Sequence, residues 1–247
     1  MLAELYLKRV DVRKDLPAFR EGYFSKLPAL CSLDSLAFHR PVTMFVGENA
    51  TGKSTLLEGI AVAWGFNPEG GSKNFSFRTR DTHSQLFRCL KLIKGPAPCR
   101  DGFFLRSESF YNVSSQVDEL GLDLRGYGGA SLHSRSHGES FLSLVISRFR
   151  GHGLYLLDEP EAALSPTRQL TLLCAMHELV KNGSQLILAT HSPILMAYPK
   201  AALLKFDERG IHPTEYKKTE HYQVSRAFLE NPEKMLRVLL SEQEDEE

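Results

Sequence analysis

The chain has 247 residues, with 30 Lys and Arg against 30 Asp and Glu, and 42% of its residues are hydrophobic. That length allows one well-buried domain or two small ones. The even charge balance excludes a global electrostatic pull toward nucleic acid or acidic lipid. Cys31, Cys89, Cys99 and Cys174 form no C-x-x-C pair, which argues against metal or redox chemistry and for reduced thiols. No stretch approaches the roughly 20 apolar residues of a membrane span. Lys8, Arg9 and Arg13 break up the apolar residues near the start, unlike a signal peptide. The expectation is a soluble, cytoplasmic protein.

Taken in chain order, "LAELYLKRVDV" alternates like a strand, and "VTMFVG" is a continuous apolar run that predicts a buried central strand. Lys53 to Trp64 reads as a helix, followed by the turn-rich "NPEGGSKNFSFRTRDTHS". "RCLKLIKG" and "DGFFLRSESF" read as strands, Val113 to Arg125 as a polar helix, "GYGGASLHSRS" as a loop, and Gly138 to Phe149 as a helix with an apolar face. "GLYLLDE" and "SQLILAT" are buried strands flanking an amphipathic helix, Thr167 to Lys181, with Pro166 near its start. "AALLKFDERGIHPTEYKK" predicts a hairpin around Arg209-Gly210. Tyr222 to Leu240 predicts one or two helices broken at Asn231-Pro232, and "EQEDEE" a solvated tail. Alternating strands and helices predict an α/β fold with a largely parallel sheet.

The chemistry begins at Gly47-Glu-Asn-Ala-Thr-Gly52-Lys53-Ser54, which fits G-x-x-x-x-G-K-[ST] at every fixed position. Glycines let backbone N–H groups turn inward on phosphates, so Gly47, Asn49, Ala50, Thr51 and Gly52 are expected to form the cradle. Lys53 supplies positive charge to the β and γ phosphates and Ser54 a hydroxyl to Mg²⁺. Thr55 and the helix N-terminus complete the anion site. Chance yields such a match in about one chain of this length in a hundred at average residue usage. A preceding strand and a following helix make chance a still poorer explanation.

"GLYLLDEPEAALSP" ends a buried strand in two carboxylates. Asp158 is placed to hold Mg²⁺, and Glu159 is the candidate base for an attacking water. The bland alternative is an acidic strand end. "LILATHSP" ends the next strand at His191, where a histidine can hydrogen-bond a γ phosphate. Open α/β sheets bind ligands at such carboxyl ends. "SHGES", Ser136 to Ser140, is a turn entering a helix, where Ser136, Gly138 and Glu139 either present N–H groups to an anion or simply cap the helix.

The order GENATGKS, SHGES, LLDEPEAALSP, ATHSP resembles the ATP-binding-cassette (ABC) ATPases across about Val42 to Pro193. SHGES looks like a variant of the family's L-S-G-G-Q signature. Leu164-Ser165 falls in its D-loop, and His191 matches its switch histidine. The resemblance implies a P-loop NTPase with a small inserted helical lobe. It further implies Mg²⁺-dependent ATP hydrolysis, and a head-to-tail homodimer in which Lys53 of one copy faces Ser136 and Gly138 of the other. The family's Q-loop glutamine is the departure: its position maps to Glu108, a carboxylate that would face Mg²⁺, with Gln85 as the alternative. Tyr23 or Phe24 matches the adenine-stacking aromatic, although a core aromatic explains either.

Transport cassettes usually carry T-H-D where this chain has Thr190-His191-Ser192. D-E-P-E-x-x-L-x-P and T-H-S-P resemble the non-transport branch of chromosome-maintenance, recombination-repair and phage-defence ATPases. "FNPEGGSKNF", "DTHS", "ESFYNV" and "SHGESFL" resemble small stand-alone bacterial ATPases, also described as AAA family. The spacing from Ser54 to Ser136 leaves no room for a coiled-coil arm, and no fused nuclease is expected. The expectation is one ATPase domain over 1–247, with a core lobe at about 1–107 and 151–247 and a signature lobe at about 108–150. It would act as a switch on DNA or a partner protein. The alternatives are the ATP-binding subunit of a membrane transporter, a module that holds ATP without turnover, and a regulatory subunit of a nuclease or toxin. Glu159 argues against the module without turnover. Arg78, Arg80, Arg148 and Arg150 either touch phosphates or form a solvated charged face.

Overall fold

The computed structural model describes residues 5–72, 84–108 and 136–241. The strands are β1 (Leu7–Val12), β2 (Ser35–Ala37), β3 (Val42–Val46), β4 (Leu90–Lys94), β5 (Asp101–Arg106), β6 (Gly153–Asp158), β7 (Gln185–Ala189), β8 (Ala202–Asp207) and β9 (Gly210–Thr214). The helices are α1 (Pro17–Glu21), α2 (Pro28–Cys31), α3 (Lys53–Trp64), α4 (His137–Arg148), α5 (Pro166–Lys181), α6 (Pro193–Met196), α7 (Glu220–Glu230) and α8 (Pro232–Ser241). The predicted helix at Val113–Arg125, most of the proposed signature lobe, and Arg78 and Arg80 lie outside the described residues.

Six strands form the central sheet in the order β5-β6-β7-β3-β8-β9. Its first five strands run parallel, and β9 returns antiparallel as the predicted hairpin. β3, β6 and β7 are buried at every position, because helices cover both faces. That is why they read as unbroken apolar runs. Their side chains alternate between two cores. Met44, Tyr155, Leu157 and Leu188 meet Phe141, Leu172 and Leu195 of α4, α5 and α6 on one face. Phe45, Leu156 and Ile187 meet Leu56, Leu57 and Ile60 of α3 on the other. Each fully buried side chain of this kind contributes roughly 1.5–3 kcal/mol. α3 ends at Gly65 (φ 107°), whose left-handed geometry lets the N–H of Phe66 reach back to Ala61 O at 3.0 Å.

A second, antiparallel sheet, β2-β1-β4, packs on the α3 face. The apolar alternation marks β1 and β4 as strands but carries no information about their partners. α1, α2 and β2 are absent from the sequence reading, since each is five residues or shorter. Two prolines open α1 and α2 at their first turns. Gln185 joins the two sheets. Its side-chain amide accepts from Leu7 N at 2.8 Å and donates to Leu7 O at 2.9 Å, both buried.

Arg148 is not available for phosphate. Its guanidinium donates to Asp101 at 2.9 Å. Asp101 also receives the Tyr155 hydroxyl at 2.7 Å and the Arg150 N–H at 3.0 Å. Burial works against the Asp101 charge, but these donors outweigh it and hold its pKa below the ordinary value. Past β9, α7 and α8 pack on each other, and none of residues 220–240 is buried.

Replacing Gln185 by Leu would leave two buried backbone groups of Leu7 without partners. At about 1–3 kcal/mol each, this predicts a fall in Tm of roughly 5–15 °C for a chain of this size. Thermal unfolding by circular dichroism checks it, and a shift under 2 °C, taken as about the resolution of such a melt, would show that the two sheets do not depend on this amide.

Candidate functional site

Parallel strands share one carboxyl edge, and four of them deliver the candidate residues there. β3 runs into the loop Gly47–Gly52, β6 ends at Asp158, β7 leads to His191, and β5 ends at Arg106. Arg106, Asp158 and Ala189 lie level across β5, β6 and β7.

The loop takes a shape few residues tolerate. Gly47 has φ 136°, and a Cβ on it would lie 2.3 Å from the Phe206 carbonyl oxygen. Ala50 (φ 60°) and Gly52 (φ 100°) also lie in the left-handed region. Asn49 is exposed on the loop tip. The hydroxyl of Thr51 donates to Glu48 O at 2.8 Å. α3 begins with no side-chain cap, so its leading N–H groups have no side-chain acceptor. Lys53 is buried and donates to Gly47 O at 2.8 Å and Glu48 O at 2.6 Å. Burial lowers its pKa, while Glu159, Glu48, Asp158 and Glu161 pull the other way. A cavity of about 340 Å³ lies between this loop, Lys205–Glu208 and the start of α7.

Asp158 is buried, which pushes its pKa up to about 6, against the opposing pull of Arg106 and Ser54. Its Oδ2 lies 3.4 Å from Arg106 Nε, and its Oδ1 has no hydrogen-bond partner among the described residues. Arg106 is half of a second pair, with Glu58 of α3 at 2.7 Å. Glu58 also accepts from Ser84 N at 2.8 Å. Glu159 is a left-handed residue (φ 47°) held from both sides: its N–H donates to Ala189 O at 2.9 Å, and its carbonyl accepts from the Ser107 hydroxyl at 2.6 Å. Strain of this kind persists where neighbours over-determine it, often at functional sites.

His191 sits opposite. Its backbone N–H donates to Glu161, which also accepts from the Thr190 hydroxyl at 2.8 Å. Its Nε2 lies 3.7 Å from Glu159 Oε1, and it is buried without a hydrogen-bond partner among the described residues. Burial first, then Lys53 and His221, push its pKa down to about 4. The serine of T-H-S-P has a local reason. Ser192 Oγ caps α6 by accepting from Ile194 N and Leu195 N, and it donates to Gln169 of α5 at 2.5 Å.

Ser136 and Glu139 form a complete capping box at the start of α4. Arg168 of α5 donates to both, to Ser136 Oγ at 3.2 Å and Glu139 Oε1 at 2.8 Å. A Cβ on Gly138 would lie 2.5 Å from Ala163 O, so only glycine seats α4 against the turn after Glu159. Among the described residues, no hydrogen bond or ion pair joins this cap to the Gly47–Gly52 loop.

Glu108 is 82% exposed, and its carboxylate pairs with Arg106 at 3.4 Å. Gln85 is exposed beside α3. Phe24 is buried in the core and cannot stack on a ligand, whereas Tyr23 is 58% exposed with its hydroxyl 3.4 Å from Thr55 Oγ1. Arg106, Glu58, Glu161 and His221 were not legible as site residues. Glu161 lies within the quoted carboxylate motif, but the others come from positions with no motif of their own.

The orphaned Asp158 Oδ1 and the adjacent Ser54 hydroxyl suit a divalent cation such as Mg²⁺, which commonly takes one or two carboxylates together with phosphate oxygens. The uncapped helix, the Lys53 ammonium and the orphaned His191 Nε2 suit phosphate.

Two family models match the chain. One is described as "AAA domain" and covers residues 31–98; the other, "AAA domain, putative AbiEii toxin, Type IV TA system", covers 130–197. The first contains the glycine-rich loop, the second the other three motifs. Among curated proteins, ABC transporter G family member STR2 of Medicago truncatula is 29% identical over 171 residues. The Petunia hybrida protein of the same name is 26% identical over 169 residues. Each match covers 62% of this chain and 24% of the relative, so the chain spans about a quarter of those proteins' length. The structure of cbiO1 from Clostridium perfringens, part of the ABC transporter complex cbiONQ, superposes with a TM-score of 0.50 at 17% identity. That match covers 93% of this chain and 97% of the other, and it shows a shared fold. The SMC head domain from Thermotoga maritima gives 0.49 at 16% identity, covering 85% and 100%.

Lys53→Ala removes the ammonium from the loop without touching either core. Binding of a fluorescent ATP analogue is expected to weaken at least about 100-fold, the loss of one charge-assisted contact worth roughly 3 kcal/mol, with an unchanged circular dichroism spectrum. Binding as tight as wild type would remove the loop from the site.

Proposed function

We propose that this chain, an ATPase of the ABC type, hydrolyses Mg²⁺-ATP between two copies of itself and works as a conformational switch on DNA or a protein partner, in DNA repair or phage defence. The observation that carries the chemistry is the convergence of Lys53, Asp158, Glu159 and His191 on one sheet edge, with a left-handed Glu159 locked by Ala189 and Ser107. Lys53 and the first turn of α3 hold the β and γ phosphates. Ser54 and Asp158 would hold Mg²⁺, which supplies charge neutralisation on the phosphate oxygens. Glu159 accepts a proton from the attacking water as the water oxygen bonds to the γ phosphorus and the bond to the ADP oxygen breaks. His191 faces the same space through Nε2 and donates to a γ-phosphate oxygen.

The second copy enters through α4. The Ser136–Glu139 cap is exposed at Ser136 and Glu139, and it is tied through Gly138 and Arg168 to the turn that follows Glu159 and to α5. A partner's nucleotide docking on that cap would press on the turn that carries the base. The non-transport reading rests on the T-H-S-P and D-E-P-E motifs. The transport alternative is favoured by the names of the curated relatives. Among the described residues no helix is long and apolar enough to cross a membrane, so that reading places the membrane-crossing part outside them.

Glu159→Gln keeps size and water binding but loses the base. Single-turnover hydrolysis is expected to slow about 10²–10⁴-fold with ATP still bound. Bound ATP then acts as a ligand shared by the closed dimer and shifts the equilibrium toward it. Size-exclusion chromatography with Mg²⁺-ATP should show a trapped dimer. Hydrolysis at the wild-type rate would move the base elsewhere. Ser136→Arg should bind ATP yet stay monomeric by light scattering, and undiminished ATP-dependent dimerisation would contradict the composite site.

A further inference from the structure

α7 begins beside the candidate site. Thr219 caps it, accepting from Tyr222 N at 3.4 Å and donating to Tyr216 O at 2.7 Å, and this cap places His221 in the first turn. His221 Nε2 lies 3.0 Å from His191 Nδ1, with ring centroids 5.1 Å apart at 59°. At that separation one ring donates and the other accepts, and two arrangements are open. If His191 donates from Nδ1, its Nε2 is a bare lone pair 3.7 Å from the Glu159 carboxylate, so acceptor faces acceptor. If His221 donates from Nε2, His191 carries its proton on Nε2 and turns an N–H toward Glu159. The second arrangement replaces repulsion with attraction. A neutral imidazole has one N–H, so the partner of one nitrogen decides the other.

We propose that His221 is a positioning residue for the ATPase reaction: its Nε2–H donates to His191 Nδ1 and fixes the tautomer in which His191 presents an N–H to the γ phosphate. The role in turnover rests on the function proposed above; the tautomer does not. The surroundings keep both rings neutral. Burial dominates for each, with Lys53 acting in the same direction and Glu48 against it. Glu159 and Glu161 face His191 from the end of β6 and the turn after it, and Glu220 adjoins His221 on α7. His221 touches His191 directly and shares no motif with it, 30 residues away.

The test has two arms. The first is ¹⁵N NMR of histidine-labelled full chain without nucleotide at neutral pH, with His191 assigned from a His191→Gln spectrum. The expected result is the Nε2–H tautomer in wild type, retained in His221→Gln, whose amide N–H can still donate, and lost in His221→Leu. A wild-type Nδ1–H tautomer overturns the proposal without any variant, and so does an Nε2–H signal unchanged in His221→Leu. The second arm is steady-state hydrolysis. His221→Leu should lower kcat about tenfold with KM nearly unchanged. His221→Gln should recover most of it, and His221→Glu, which only accepts, should fall at least as far as Leu. Equal kcat for the Leu and Gln variants overturns the positioning role. The first arm needs no ATP, so it separates failure of this proposal from failure of the ATPase reading.

Discussion

Everything at the candidate site depends on β5, β6, β7 and β3 lying parallel and adjacent in the sheet. Parallel strands end on the same edge, and hydrogen-bonded register sets which residues stand level there. Arg106, Asp158 and Ala189 are level for that reason. The Ala189 carbonyl then captures the Glu159 N–H, and Ser107, one step beyond Arg106, captures the Glu159 carbonyl. A reversed or shifted β6 would send Asp158 and its neighbours to the opposite edge or the opposite face. The apolar runs of β3, β6 and β7 prevent this, because a one-residue slip would exchange the sides of two different cores.

The edge is electrostatically expensive. Asp158 is buried beside Glu159, and its pKa rises to about 6, burial being the first cause. A carboxyl whose folded pKa exceeds its unfolded value binds its proton more tightly when folded. Its stabilising contribution is present below the ordinary carboxylate range and is lost as pH rises through about 6. At neutral pH the folded protein therefore carries an ionised group it would rather neutralise. Arg106 offsets part of this, with Glu58 sharing the same guanidinium at 2.7 Å. A bound cation would offset the rest. The burial that makes the Asp158 charge costly would also strengthen its pull on a cation.

The sequence declared the backbone of this arrangement. The central strands announced themselves through apolar runs, and α3, α5 and the β8-β9 hairpin through caps, period and turn residues. Lys53, Asp158, Glu159 and His191 were legible because each sits at the end of such a run, inside a short local motif. Residues that reach the site through tertiary packing were not. Arg106 is the last residue of an ordinary strand, Glu58 the single acidic residue of α3, turned to its buried face, and His221 the second residue of an exposed helix. None carries a local signal, since what makes each one matter is a partner 30 or more residues away. The short elements between Val12 and Val42, and the separation of β1, β2 and β4 into their own sheet, were hidden for the same reason.

The most direct test is a crystal structure of the Glu159→Gln chain grown with Mg²⁺-ATP. The account predicts phosphates on the Gly47–Gly52 loop and Lys53, and a cation against Ser54 and the Asp158 Oδ1. It also predicts the γ phosphate within hydrogen-bond reach of His191 Nε2, with Ser136 of a second copy closing over it. A nucleotide seated away from this loop, or one enclosed without any contribution from a second copy, would contradict it.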